Sequence, residues 1–146
     1  GVFVKASCCW RLDTVDSLFD GVLPASSADE SIPRFSFWDH RGTEEWVEIE
    51  LPARMPVKSI EVYWFDDHHA GRGACTLPER WKVQSRLFPG LPWTDVADAK
   101  YTTVRDAFSS ATFKEPIDSD SFRIVVKSRP KLSAGMLEMR VNRLTE

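Results

Sequence analysis

The sequence predicts an all-β domain of sandwich or barrel type. Three observations carry this. Apolar residues recur in short alternating runs, the signature of half-buried strands. Nine prolines and seven glycines are spread over the 146 residues. No uninterrupted stretch has the length and periodicity of a long amphipathic helix.

The elements follow in order. Residues 14–19 read as one short helix, with Gly21 as its stop. Residues 46–51 place Val47, Ile49 and Leu51 on one face and Glu48 and Glu50 on the other. Pro52 is expected to end this strand, and Pro56 to prevent its continuation. Residues 59–65 turn Ile60, Val62 and Trp64 to one face. Further strands are expected at 81–85, at 122–126 with Phe122, Ile124 and Val126 inward, and at 137–141. Shorter ones are expected near 93–96, 101–104 and 111–113. With no linker, repeat or low-complexity tract, residues 1–146 read as one domain.

Composition narrows the function. The net charge of −3 comes without a basic stripe, which argues against nucleic acid as a partner. No apolar run approaches the roughly 20 residues of a membrane-spanning helix. The opening residues 1–5 lack the basic-then-apolar layout of a signal peptide. A chain starting at Gly1 without Met reads as a piece of a longer protein. Cys8, Cys9 and Cys75 are odd in number, so at least one thiol stays unpaired within the chain. Either a Cys8 or Cys9 bridge to Cys75, or three buried thiols, fits.

The run 34–46, RFSFWDHRGTEEW, raises the question of function. Alternation puts Arg34, Ser36 and Trp38 opposite Phe35 and Phe37. Phe35, Phe37 and Trp46 are expected in the core. Trp38 is left free to offer an indole to the apolar C–H face of a sugar. Asp39 and His40 would hydrogen-bond its hydroxyls. Residues 65–73, FDDHHAGRG, read as a loop at the sandwich edge, with Asp66, Asp67 and Arg72 as polar ligands. The alternative is a solvated turn braced by an Asp–Arg pair. Two Asp and two His in succession do not converge on one metal, because extended neighbours point opposite ways. Nor can adjacent carboxylates flank a glycosidic bond. No Gly-x-Ser-x-Gly and no phosphate-cradling glycine loop is present. An enzyme acting by itself is therefore not expected.

The segments Leu18-Phe19-Asp20-Gly21, Glu45-Trp46-Val47-Glu48-Ile49, Ser59-Ile60-Glu61-Val62-Tyr63 and Arg80-Trp81-Lys82-Val83-Gln84-Ser85 together resemble the discoidin, or coagulation-factor type C, domain. This belongs to the galactose-binding-like jelly-roll folds. The run 32–46, with Val62-Tyr63-Trp64-Phe65-Asp66-Asp67, Gly71-Arg72-Gly73-Ala74-Cys75, Pro78-Glu79-Arg80-Trp81 and Ser133-Ala134-Gly135-Met136-Leu137-Glu138, is similar to an accessory module of secreted bacterial glycoside hydrolases. Those hydrolases are similar to β-L-arabinofuranosidases. The resemblance implies a non-catalytic, carbohydrate-binding β-sandwich, extracellular or periplasmic, whose partners are a plant or host glycan and the catalytic domain of a parent chain. Its alternative role is packing against that domain without binding sugar. It also implies one structural Ca2+, with Asp20 and Glu138 supplying carboxylates and the bend at Gly21 supplying carbonyls. Against this, no second Asp or Asn stands near the turn, and a helix-ending Asp-Gly beside a surface Glu fits as well.

Overall fold

The computed structural model describes residues 1–145. Among them are eight strands: β1 (Phe3–Ala6), β2 (Phe35–Ser36), β3 (Glu44–Phe65), β4 (Arg80–Arg86), β5 (Thr94–Asp95), β6 (Lys100–Tyr101), β7 (Ser109–Lys127) and β8 (Gly135–Arg143). A 3-10 turn covers Val15–Phe19. Thr14 caps it by accepting from the Asp16 amide, and Gly21 follows at φ 74°. All pairings within the sheet are antiparallel.

Two long bent strands make the sandwich. The first part of β3, through Glu50, pairs with β1 and with residues 121–127 of β7, and β4 and β5 extend this layer. The last part of β3 pairs with β8 and with residues 109–112 of β7, and β2 and β6 lie outside them. The inner faces of the two layers meet in one core. Val47, Ile49, Val83, Phe122, Ile124 and Val126 come from the first layer; Ile60, Val62, Trp64, Ala111 and Met136 come from the second. Trp64 of the second layer packs edge-on against Trp81 of the first, with centroids 5.6 Å apart.

The prolines do not divide β3 as expected. The β3–β7 ladder shifts register between Glu50 and Met55, so Pro52 sits where no ladder bond is lost. Pro56 stays opposite Asp118, and its carbonyl accepts from the Leu144 amide at 2.7 Å. Pro116 of β7 falls in a second skip, between Thr112 and Ile117, opposite Val57 and Ser59. The prolines thus mark the bend where each strand passes from one layer to the other. The segments expected at 111–113 and 122–126 are two halves of β7, and the one near 101–104 is confined to Lys100–Tyr101. β1 was not expected from the sequence, and β2 lies within the alternating run 34–38.

Phe35 and Phe37 are fully buried and pack edge-on at 4.9 Å. Trp46 is a correction. It lies on the outer face, half-buried, with the Arg123 guanidinium 4.8 Å from its ring. The cause is the alternation that sends Val47 inward. Of the two cysteine arrangements left open, the structure has the unbridged one: all three are free thiols, though only Cys75 is buried, with Cys8 partly buried and Cys9 exposed.

Outside the second layer lies a smaller apolar cluster: Tyr63, Phe65, Cys75 and Leu137, with Trp38 and Phe108 packed against it. The β2–β8 edge frames it, and Gly135 is what lets that edge close. A Cβ there would stand 2.8 Å from the Phe35 carbonyl. Gly135→Ala is expected to cost about 1–3 kcal/mol by overpacking. A thermal melt checks this; an unchanged Tm would mean that β2 yields without cost.

Candidate functional site

The site is built on the outer cluster by three chain segments. The first is 34–38. Its alternation turns Arg34, Ser36 and Trp38 to the same side, away from the buried Phe35 and Phe37. Ser36 Oγ donates to Asp13 Oδ2 at 2.5 Å, and Arg34 Nε to Asp13 Oδ1 at 3.3 Å. The Arg34 guanidinium lies 4.6 Å from the centre of the Phe65 ring.

The second segment is 66–76. Asp66 is 1% exposed, and both of its oxygens are taken. Oδ1 accepts from the His69 amide at 2.8 Å; Oδ2 accepts from Arg105 Nε at 2.8 Å and Thr76 Oγ1 at 3.1 Å. Asp66 thus holds the loop in shape. Asp67 Oδ1 accepts from the Cys75 amide at 3.0 Å, while Oδ2 takes no hydrogen bond among the described residues. Oδ2 lies over Gly73, where a Cβ would come within 2.0 Å of it. The third segment is the N-terminal stretch, whose Trp10 amide donates to the Ser36 carbonyl at 3.2 Å.

Ser133 ties the turn that follows the first segment to the second segment. Its Oγ donates to the His40 carbonyl at 2.5 Å, its amide donates to the Ala74 carbonyl, and its carbonyl accepts from the Thr76 amide.

Between these segments is a cavity of about 290 Å³. Trp10, Trp38 and Phe65 are its aromatic walls, Arg34 and Asp67 bring a charged donor and a charged acceptor, and the chain at Gly73 to Cys75 lines it as well. A small polyol with one C–H face and several hydroxyls matches such a lining. Cys75 is no nucleophile here. Burial first, and then the Asp67 charge, push its thiol up to about 12.

The other sequence candidates are placed as follows. Asp39 is exposed next to Trp38 and makes no hydrogen bond among the described residues. His40 turns to Glu45, with Nδ1 3.0 Å from Oε2. Arg41 lies over one face of Trp38, its guanidinium 4.3 Å from the ring centre. Arg72 is exposed; its Nη2 donates to the Ala28 carbonyl at 2.9 Å, and its Nε stands 3.5 Å from Glu30 Oε2. The Asp–Arg brace of the loop is therefore Asp66 with Arg105, and Arg72 pairs with Glu30 instead.

Trp10, Arg34, Ser36, Phe65 and Gly73 line the cavity without having been singled out from the sequence. Arg34 and Ser36 did carry a signal, because alternation already placed them with Trp38. Trp10 carried none.

Asp20 and Glu138 meet at the other candidate position. Glu138 is 4% exposed; its Oε2 accepts from the Gly21 amide at 3.0 Å, while its buried Oε1 has no partner. Burial first, then the neighbouring Asp20 carboxylate, raise Glu138 to about 7. Two adjoining carboxylates with an orphaned buried oxygen fit the oxygen-ligand preference of a hard cation such as Ca2+.

No protein-family model and no curated protein sequence matches the chain. Solved structures do. A structure from the β-galactosidase BgaA of Streptococcus pneumoniae superposes with TM-score 0.81 at 13% identity, covering 97% of this chain and 91% of that one. The family 32 carbohydrate-binding module of NanJ from C. perfringens, solved with galactose, gives TM-score 0.67 at 14% identity over 96% of this chain and 92% of that one. A family 29 fucosidase of Ruminococcus gnavus matches all of this chain with 26% of its own length, at TM-score 0.68 and 13% identity. In none of the described residues is there a helix long and apolar enough to cross a membrane. Strand order, core and these superpositions agree: the chain has the galactose-binding-like jelly-roll β-sandwich fold.

Proposed function

We propose that this chain is a non-catalytic carbohydrate-binding module of an exported glycoside hydrolase. The observation that carries the reading is the aromatic-walled cavity whose lining includes one guanidinium, from Arg34, and one carboxylate, from Asp67. Trp38 and Trp10 pack on the C–H face of a sugar, Arg34 donates to its hydroxyls, and Asp67 Oδ2 accepts from one. Asp39 and Arg72 serve from the exposed rim, where Arg72 reaches Arg34 through Glu30. The solved module with galactose supports a hexose as the ligand class. A small, open, polar site of this kind binds weakly, near millimolar, or about 4 kcal/mol.

The test is a glycan array with plant and host polysaccharides, run on the wild type and on Trp38→Ala. Expected is binding to at least one glycan that the substitution removes. A well-folded protein that binds none would refute the proposal.

A structural Ca2+ held by Asp20 and Glu138 belongs to the same reading. It would tie the turn after Phe19 to β8, steadying the fold rather than touching sugar.

One observation favours a second reading, a packing module that buttresses a catalytic domain. On the outer face of the first layer, Arg123 stands 4.8 Å from both the Trp46 and the Trp93 rings, and Arg86 stands 4.1 Å from Trp93. That ladder is a ready surface for another domain. Self-association of the isolated chain that Trp93→Ala abolishes would support it.

A further inference from the structure

A second cluster of chemistry-bearing side chains lies apart from the cavity. Cys8, at the end of the segment after β1, His40, in the turn after Trp38, and Glu45, at the start of β3, bring Sγ, an imidazole nitrogen and a carboxylate oxygen within 4.8 Å of one another. They come from three separate segments, and each segment is fixed by its backbone. Ser7 N donates to the Trp46 carbonyl at 2.9 Å, and His40 N to the Phe37 carbonyl at 2.8 Å. The His40 carbonyl is held by Ser133 Oγ. Glu45 is oriented from behind, because Ser7 Oγ donates to its Oε1 at 2.8 Å and leaves Oε2 facing His40 Nδ1 at 3.0 Å. Hydrogen-bonded support behind the ligands, as here from Ser7, is what tuned metal sites show.

We propose that Cys8, His40 and Glu45 form a binding site for a divalent transition ion of the Zn2+ class, with solvent in the fourth position. One thiolate, one imidazole and one carboxylate are a borderline-soft donor set, suited to Zn2+ rather than to Ca2+ or Mg2+. A tetrahedral ion with ligands at roughly 2.0–2.3 Å sets its donors about 3.2–3.7 Å apart. The 3.0 Å spacing of His40 and Glu45 needs little opening, and Cys8 closes in from within 4.8 Å. The half-exposed His40 edge provides the entry path.

Without metal, Cys8 is a thiol: burial first, then the Glu45 charge, push it up to about 12. On binding, the ion displaces the Cys8 proton to solvent. It also takes the place of the proton between His40 Nδ1 and Glu45 Oε2, and that proton moves through solvent to Nε2, so the bound imidazole stays neutral. No oxidation or reduction is involved.

The test is titration of the chelator-stripped protein with Co2+, followed by Zn2+. Expected is a thiolate-to-cobalt charge-transfer band that saturates at one equivalent and is bleached by Zn2+. Cys8→Ser removes the band, Cys9→Ser keeps it, and His40→Ala weakens Co2+ binding at least about tenfold. Should Cys8→Ser fold poorly, the half-exposed His40 variant decides by the same band. Absence of a band in the wild type overturns the proposal. So does a band that survives Cys8→Ser or disappears in Cys9→Ser, which would assign the exposed Cys9 as the ligand.

Discussion

Gly73→Ala is expected to abolish measurable glycan binding while leaving the protein folded. The added methyl would sit 2.0 Å from Asp67 Oδ2 and 2.4 Å from its Cγ. One of the two must move. The carboxylate is the end of a short side chain whose other oxygen is bound to the Cys75 amide. Displacing it costs about 1–3 kcal/mol of stability. It also withdraws the charged acceptor from the cavity. A hydrogen bond to a charged group is worth about 1.5–3 kcal/mol, so affinity should fall about 10- to 100-fold from an already weak start. Asp67→Asn separates the two effects. Its Oδ1 still accepts from Cys75, and only the acceptor facing the cavity is lost. Affinity electrophoresis against the array's best glycan should show both variants unretarded. Normal retardation of Asp67→Asn would remove Asp67 from the site.

Glu138→Gln is expected to stabilise the calcium-free protein at pH 8 and to destroy its response to calcium. The sign follows from the raised value. Glu138 titrates near 7 in the folded chain and near 4.5 when unfolded. Between those values the folded state holds the extra proton, so stability falls as pH rises from 4.5 through 7. The loss is at most about 3 kcal/mol, or roughly 10 °C in Tm. Gln keeps the neutral form at every pH and flattens this slope. Bound Ca2+ needs the ionised form, so the Ca2+-dependent gain in Tm should be large at pH 8 and absent at pH 5. Differential scanning calorimetry at the two pH values, with Ca2+ or chelator, reads all four states. A calcium response in Glu138→Gln equal to the wild type's would place the ion elsewhere.

Much of the fold was legible because alternation is a local signal. Val47, Ile49, Ile60, Val62, Phe122 and Ile124 all turn inward as their period of two requires. The prolines misled for a specific reason. A proline ends a strand only where its missing N–H would be needed, and Pro52 and Pro116 lie where the ladder already skips. Trp46 shows the opposite error, since hydrophobicity suggested the core while its position beside Val47 sent it outward.

The cavity was half legible. Trp38 and Asp67 stood out, and the alternation that freed Trp38 also aligned Arg34 and Ser36. What the sequence could not show was contact across the chain. Trp10 reaches the site only because its amide pairs with Ser36, and Asp66 leaves it only because Arg105, 39 residues away, claims its oxygen. His40 is held by Glu45 for the same kind of reason. These are consequences of packing, with no trace in local spacing.

The central claim is that sugar enters the cavity between Trp38 and Asp67. It is met most directly by following backbone amides and indole N–H groups by NMR while galactose, or the array's best glycan, is added. Saturable shifts are expected at the Trp10 and Trp38 indoles and at the amides of Gly73 to Cys75, all lost in Trp38→Ala. Shifts confined to Trp46 and Trp93, or none with any glycan, would contradict it.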